Sequence, residues 1–154
     1  MRRLIINGGI EEDRWLPIDP DSTLPGDGRI LTLDQWLALA DKAGSAVQLE
    51  PGQAPAPLLP FVQEIELVAV NFPVFTDGRG FSYARELRER GYRGELRATG
   101  HFLRDQLTYL RRCGFDAFDM EDEAELETAL ERLEDFSEHY QASVDQPLPL
   151  FRRR

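Results

Sequence analysis

Short apolar segments alternate with longer amphipathic stretches along most of the chain. Leu67–Phe72 is nearly continuous in apolar residues, as expected of a strand that is covered on both faces. Residues 122–139 instead carry apolar residues at helical spacing. The other predicted strands are Ala46–Leu49, residues 96–99 and residues 115–118. The other predicted helices span residues 32–44, 57–64, 79–90 and 101–113.

Two predicted helices end in similar sequences. Arg90-Gly91-Tyr92 and Cys113-Gly114-Phe115 lie 23 residues apart, about the length of one helix and one strand. A repeated strand–helix unit favours parallel strands joined by right-handed crossovers. We therefore expect an α/β fold, an open and mostly parallel sheet with flanking helices.

The first 31 residues predict an addition to this sheet. Residues 4–6 and 15–18 are predicted strands of a β-hairpin, with Asn7-Gly8-Gly9 at its turn. Thr32 and Gln35 have the spacing of a capping box, and Gly44 is the expected end of the helix that Thr32 begins. We predict one α/β domain over residues 1–144, with residues 1–31 as its hairpin and loop elaboration. Residues 145–154, which contain two prolines, are predicted to form an extended tail.

Composition limits the possible chemistry. The chain has 154 residues, of which 42% are hydrophobic and 30% charged, which is typical of one globular domain. One cysteine and two histidines are too few for a disulfide framework, a four-thiolate site or a three-histidine zinc site, and we predict no metal. No apolar run approaches the ~18 residues of a membrane helix, so we expect no membrane partner and a cytoplasmic location. No cofactor is evident from the sequence. A flavin site stays an open alternative, because flavins can bind at strand ends without a fixed motif.

Charge is distributed unevenly. The net charge of −10 argues against nucleic acid as a partner. Residues 79–112 hold nine arginines and four acids, a local charge of +5, whereas residues 119–139 hold ten acids and one arginine, a local charge of −9. The acidic helix has two interpretations, a solvated face or a docking surface for a basic partner.

Three predicted loops follow the carboxyl ends of strands, where parallel sheets bind ligands. The loop that leads into residues 79–90 contains two glycines and an arginine near a helix start, which favours anions. It matches neither a phosphate-binding Walker loop nor a dinucleotide fingerprint. The alternatives are an Asp-Gly turn capped by Asp77 and an anion site. The candidate anion-binding residues are Thr76, Asp77, Gly78, Arg79, Gly80, Ser82, Arg97 and Arg104.

Arg97 alternates onto the strand face opposite Leu96 and Ala98. If that face is covered, the guanidinium needs a partner, and Asp77 and Asp116 are candidates. Alternatively, the strand lies at a sheet edge and Arg97 is solvated. Cys113 is expected to be a buried structural thiol, and no catalytic constellation is identified, so catalytic residues stay unknown.

Several segments resemble a bacterial family of unknown function that is labelled as an oxidoreductase involved in sulfite reduction. The segments are Phe72-Pro73-Val74-Phe75-Thr76-Asp77-Gly78-Arg79-Gly80-Phe81-Ser82, Gly94-Glu95-Leu96-Arg97-Ala98, Leu103-Arg104-Asp105-Gln106-Leu107 and Arg112-Cys113-Gly114-Phe115-Asp116-Ala117-Phe118. Members are typically encoded beside the haemoprotein of assimilatory sulfite reductase. The family commonly has an acidic residue at the position of His101, which implies that His101 is not an essential catalyst.

The resemblance implies an accessory protein or oxidoreductase of assimilatory sulfite reduction that acts with the siroheme sulfite reductase haemoprotein. Two alternatives stay open from the residues themselves. The first is a small anion- or phosphate-binding α/β protein that uses residues 76–82. The second is a non-enzymatic homodimeric scaffold.

Overall fold

The structure is a computed structural model that describes residues 2–21, 28–74, 78–102, 104–120 and 122–137, without the side chains of residues 104 and 134–137. Within these residues, seven strands form one sheet in the order β2-β1-β7-β6-β5-β4-β3. Strands β3 to β7 are parallel, and β1 is antiparallel to both of its neighbours. The strands are β1 Arg3–Ile6, β2 Gly9–Glu12, β3 Leu31–Thr32, β4 Ala46–Leu49, β5 Leu67–Phe72, β6 Glu95–Gly100 and β7 Ala117–Met120.

This sheet confirms the predicted fold class, including the N-terminal hairpin at one edge. The α-helices are α1 Leu33–Leu37, α2 Arg79–Glu89, α3 Leu107–Cys113 and α4 Leu126–Ser137. Short 3-10 helices cover Ala56–Phe61, Arg104–Gln106 and Glu123–Glu125. The predicted tail at residues 145–154 lies outside the described residues.

The described α-helices pack on a single face of the sheet, which we call the helix face. Strands β3 to β7 follow one another in both chain and sheet order, and right-handed crossovers then place every connection on the same side. The main core joins Val68 and Leu96 of the sheet to Leu87 of α2 and Leu110 of α3. Strand residues that alternate with these form the opposite face.

The second strand of the hairpin is not where the sequence placed it. It spans Gly9–Glu12 rather than residues 15–18. Asn7 and Gly8 have φ angles of 50° and 83°, which suit a two-residue turn that reverses the chain at once and pairs Ile6 with Gly9. Trp15 instead packs with Ile30 against the amino ends of β4 and β5 on the opposite face.

Helix α1 begins as predicted but ends early. The Thr32–Gln35 capping box is present, yet the helix stops at Leu37, well before Gly44. Lys42, the only lysine of the chain, explains the early end. Its buried ammonium donates to the carbonyl oxygens of Trp36 at 2.9 Å, Leu37 at 3.3 Å and Leu39 at 2.6 Å. These carbonyls therefore have hydrogen-bond donors without the backbone N–H groups that a longer helix would supply.

Helix α3 and strand β7 differ from the prediction by a few residues. The α-helix starts at Leu107 after a 3-10 turn, and β7 starts at Ala117 rather than at residue 115. Gly114, with a φ of 120°, turns the chain, and the N–H of Phe115 bonds to the carbonyl of Leu110 to close the helix. Cys113 is fully buried, as predicted. No described helix is long and apolar enough to cross a membrane.

Candidate functional site

The carboxyl ends of three neighbouring parallel strands form one rim of the sheet. Phe72 of β5 pairs with Gly100 of β6, and Gly100 pairs with Met120 of β7. The segments that follow these strands therefore leave the same edge, as the sequence predicted. Helix α2 starts beside this rim.

The first turn of α2 holds four of the predicted anion-binding residues. Gly78 is the N-cap residue of α2 and has no side chain of its own that could cap the helix. Arg79 and Ser82 are exposed. Gly80 is buried, and a Cβ there would lie 2.6 Å from the ring of Phe72 and 2.9 Å from Cγ1 of Val70. Gly80 is thus required for close packing of α2 on β5, whatever the first turn binds.

Arg97 lies in the middle of the sheet and is only 1% exposed. Its Nη1 lies 3.0 Å from Oδ2 of Asp13, and its Nε lies 2.8 Å from Oε2 of Glu95. The expectation that Asp116 is the partner of Arg97 is therefore wrong. The alternative that β6 is an edge strand is also wrong, because β6 pairs with β5 and β7. Asp77 lies outside the described residues.

Burial and the opposite charges act against each other on the pKa values of this cluster. Burial lowers the pKa of Arg97, but the two carboxylates outweigh it and hold that pKa above its ordinary value. Burial also raises the pKa of Glu95, and the Arg97 guanidinium opposes the rise. Arg97 is consequently a charged group whose donors are directed at two acids of its own chain.

Arg97 and the start of α2 lie on different faces of the sheet. Arg97 is in register with Ala69 and Ala117 on the opposite face, whereas Gly80 packs against residues of the helix face. Of the predicted set, the structure brings together only Gly78, Arg79, Gly80 and Ser82. Thr76, Asp77 and the side chain of Arg104 lie outside the described part.

The structure shows a row of polar side chains at the rim that was not predicted from the sequence. Asn71, Thr99 and Asp119 are in register on the opposite face of β5, β6 and β7, and Glu50 follows β4 next to Asn71. We call these four residues the polar row. The sequence does contain a signal, since each of the three strands carries a polar residue at its second-to-last position, between apolar or small residues.

The polar row consists of two hydrogen-bonded pairs, Glu50 with Asn71 and Asp119 with Thr99. Glu50 accepts hydrogen bonds from Gln48 and Asn71, both at 2.7 Å. Asp119 accepts from Arg2 at 2.7 Å and from Thr99 at 3.3 Å. Arg2 pairs with Asp119, so the carboxylate of Glu50 leaves this side of the rim negative and disfavours an anion there. The described residues contain no group of three or more His, Cys, Asp or Glu that could hold a metal ion.

Helix α4 presents acids to solvent. Its inward side buries Leu126, Ala129 and Leu133 against the core. Glu127 and Glu131 are exposed on the helix, and Asp122 is exposed just before it. We call these three acids the acidic surface. The apolar stripe accounts for the packing of α4, so the exposed acids are available for intermolecular contact.

A family model described as "Bacterial protein of unknown function (DUF934)" matches residues 46–151. The chain belongs to this family. The DUF934 region contains the start of α2, the strands of the polar row and the acidic surface, whereas Arg2 and Asp13 precede it. A comparison with curated proteins gave no match.

Proposed function

We propose that this DUF934 protein is a cytoplasmic accessory protein of assimilatory sulfite reduction that binds the sulfite reductase haemoprotein through the acidic surface of α4. The exposure of Glu127 and Glu131 on α4, and of Asp122 on the segment before it, supports the docking mode. The choice of pathway rests on the resemblance of residues 72–118 to proteins encoded beside that haemoprotein. Like charges gathered on one surface steer an oppositely charged partner more than they add affinity.

The proposal predicts a complex whose stability depends on salt. Titration calorimetry with the purified haemoprotein at about 10 mM salt, where the Debye length is ~30 Å, should give saturable binding. At about 150 mM salt, where the Debye length is ~8 Å, the dissociation constant should rise by about tenfold or more.

An absence of binding heat at low salt would overturn the proposal. If light scattering also showed a stable dimer of this chain, the homodimeric scaffold would replace it. A complex that is insensitive to salt would contradict the electrostatic mode of docking.

A second candidate, a small-anion binder, is supported by the first turn of α2. Gly78 supplies no capping side chain, and exposed Arg79 and Ser82 flank the helix start. Helix N-terminal N–H groups and a guanidinium together suit a small oxyanion.

This candidate predicts stabilisation by sulfate or sulfite. At a hundredfold excess over the dissociation constant the ligand adds about 2.7 kcal/mol, or roughly 5–10 °C in melting temperature for a chain of this size. Arg79→Ala should remove the shift, and Arg90→Ala at the other end of the same helix should keep it. A shift that survives in Arg79→Ala removes this residue from the site.

A further inference from the structure

Strand β2 ends the sheet on one side, and no strand of the described residues lies beyond it. Backbone groups in an antiparallel pair point alternately toward and away from the partner strand. The N–H of Asp13 bonds to the carbonyl of Arg2 at 2.7 Å, which places the groups of Glu11 on the side of β1. The N–H and C=O groups of Ile10 and Glu12 therefore point outward, where an edge strand accepts a further strand.

The exposed side chains of this edge are acidic. Ile10 packs against the main core on the helix face, so Glu12 lies on that face too and Glu11 lies on the opposite face. Both acids are exposed, and within the described ranges neither has an ion-pair partner. Arg3 is opposite Glu12 in the register, but its Nε lies 3.6 Å from Oε1 of Glu123.

The acidic surface of α4 lies beside this edge. Helix α4 packs over β1 and β2 on the helix face. On one flank of α4, Nη1 of Arg132 lies 2.9 Å from Oδ1 of Asp105, just before α3. Glu127 lies about 140° around the helix from Arg132, on the flank away from α3 and toward β2. Acids of α4 and of β2 therefore lie along the same edge of the sheet.

A second copy of this chain is a poor occupant for the edge. Strand β2 has four residues, and Glu11 and Glu12 are two of them. Pairing two copies of so short a strand would bring these acids together, and like charges across paired strands are destabilising. A strand with basic side chains meets opposite charges instead.

We propose that an extended basic segment of the partner protein adds to β2 as a further strand of the sheet. The inference rests on the proposed docking through the acidic surface and names the element that receives the partner's main chain. Main-chain hydrogen bonds to Ile10 and Glu12 supply affinity, and the side chains that alternate along the added strand supply specificity. Basic side chains on one face of that strand lie near Glu12 and Glu127, and those on the other face lie near Glu11.

Glu12→Pro tests the main-chain bonds. Proline removes the outward N–H of residue 12, and pairing with β1 does not use that N–H, so an edge strand tolerates the change. Glu12→Gln is the matched control, because it loses the same charge and keeps the N–H. In the haemoprotein titration at about 10 mM salt, Glu12→Pro should bind about tenfold more weakly than Glu12→Gln, a difference of ~1.4 kcal/mol. Melting temperatures of the two variants show whether both are folded.

A peptide probe tests the edge of the wild-type protein without the haemoprotein. The probe is a blocked hexapeptide of alternating lysine and valine, which has basic side chains and favours an extended backbone. In an NMR titration it should give saturable shifts of the backbone amides of Ile10 and Glu12. The same peptide with methylated amide nitrogens keeps its charge without its donors, and a glutamate–valine peptide keeps its donors with the opposite charge. Both should bind about tenfold more weakly or worse.

Several outcomes would overturn the inference. One is equal affinity of the haemoprotein for Glu12→Pro and Glu12→Gln when both are folded. Others are no saturable shift with the lysine–valine peptide, or equal binding of either control peptide. A dimer in light scattering that Glu12→Pro dissociates would make a second copy the occupant.

These results are distinguishable from failure of the docking proposal. If charge reversal on α4 weakens the haemoprotein complex while the two Glu12 variants bind equally, the docking proposal stands and the strand addition is wrong. If the haemoprotein gives no binding heat with the wild type, the docking proposal fails, and the peptide titration alone decides whether β2 accepts a basic strand.

Discussion

Replacing Arg97 by methionine should lower the free energy of unfolding by about 3–5 kcal/mol. The side chain is 2% exposed and bonds to Asp13 and Glu95, whose side chains are 11% and 16% exposed. Methionine fills similar space but leaves both carboxylates buried without their cation, and an uncompensated buried charge costs far more than the lost contact. Urea unfolding followed by circular dichroism measures the change.

Two controls separate charge burial from simple loss of an ion pair. Arg14→Met breaks the exposed pair with Glu66, and it should cost less than about 1 kcal/mol. Adding Asp13→Asn and Glu95→Gln to Arg97→Met removes the unpaired charges and should restore at least about half of the lost stability. If Arg97→Met alone lowers the free energy of unfolding no more than Arg14→Met does, Arg97 does not stabilise the fold by neutralising Asp13 and Glu95.

Replacing Lys42 by methionine should cost about 2–3 kcal/mol, because the ammonium donates to three carbonyls and lies over the rings of Trp36 and Phe61. Lys42→Arg should also destabilise, since a planar guanidinium does not reproduce a compact ammonium placed among three converging acceptors. Thermal unfolding of both variants tests this.

A chemical measurement checks the burial of Lys42 independently. An amine-reactive ester should leave Lys42 unmodified in the folded protein and should modify Lys42 in urea. Peptide mass spectrometry measures the modification. Rapid labelling of Lys42 in the folded state would contradict the hydrogen bonds of its ammonium to the three carbonyls at the end of α1, and so would a Lys42→Arg variant with unchanged stability.

Local pattern was sufficient to predict the fold class and strands β4 to β7, but it placed β2 wrongly and missed β3. Two patterns predict parallel strands: the uninterrupted apolar run of β5, and the similar sequences in which two helices end at Gly91 and Gly114. The structure confirms parallel strands. The hairpin was misplaced because hydrophobicity assigned Trp15 to a strand, whereas the backbone at Asn7 and Gly8 closes the turn within two residues.

The candidate site was less predictable because it depends on long-range pairing. The Arg97–Asp13 contact joins residues 84 positions apart, and spacing along the chain gives no sign of it. The glycines at the start of α2 could be recognised from the sequence. That Gly80 leaves no room for a side chain is shown only by its contact with Phe72 in the structure. The polar row could have been found from three aligned strand ends, once the strands were known to be adjacent.

The docking surface on α4 is tested most directly by a charge-reversal pair in the haemoprotein titration at low salt. Glu127→Lys with Glu131→Lys reverses two exposed acids of α4, and Glu64→Lys with Glu66→Lys makes the same change in net charge elsewhere on the exposed surface. We predict that the α4 variant binds about tenfold more weakly than the wild type or worse, and that the control stays within about threefold. Equal affinities of the two variants would show that α4 is not the docking surface.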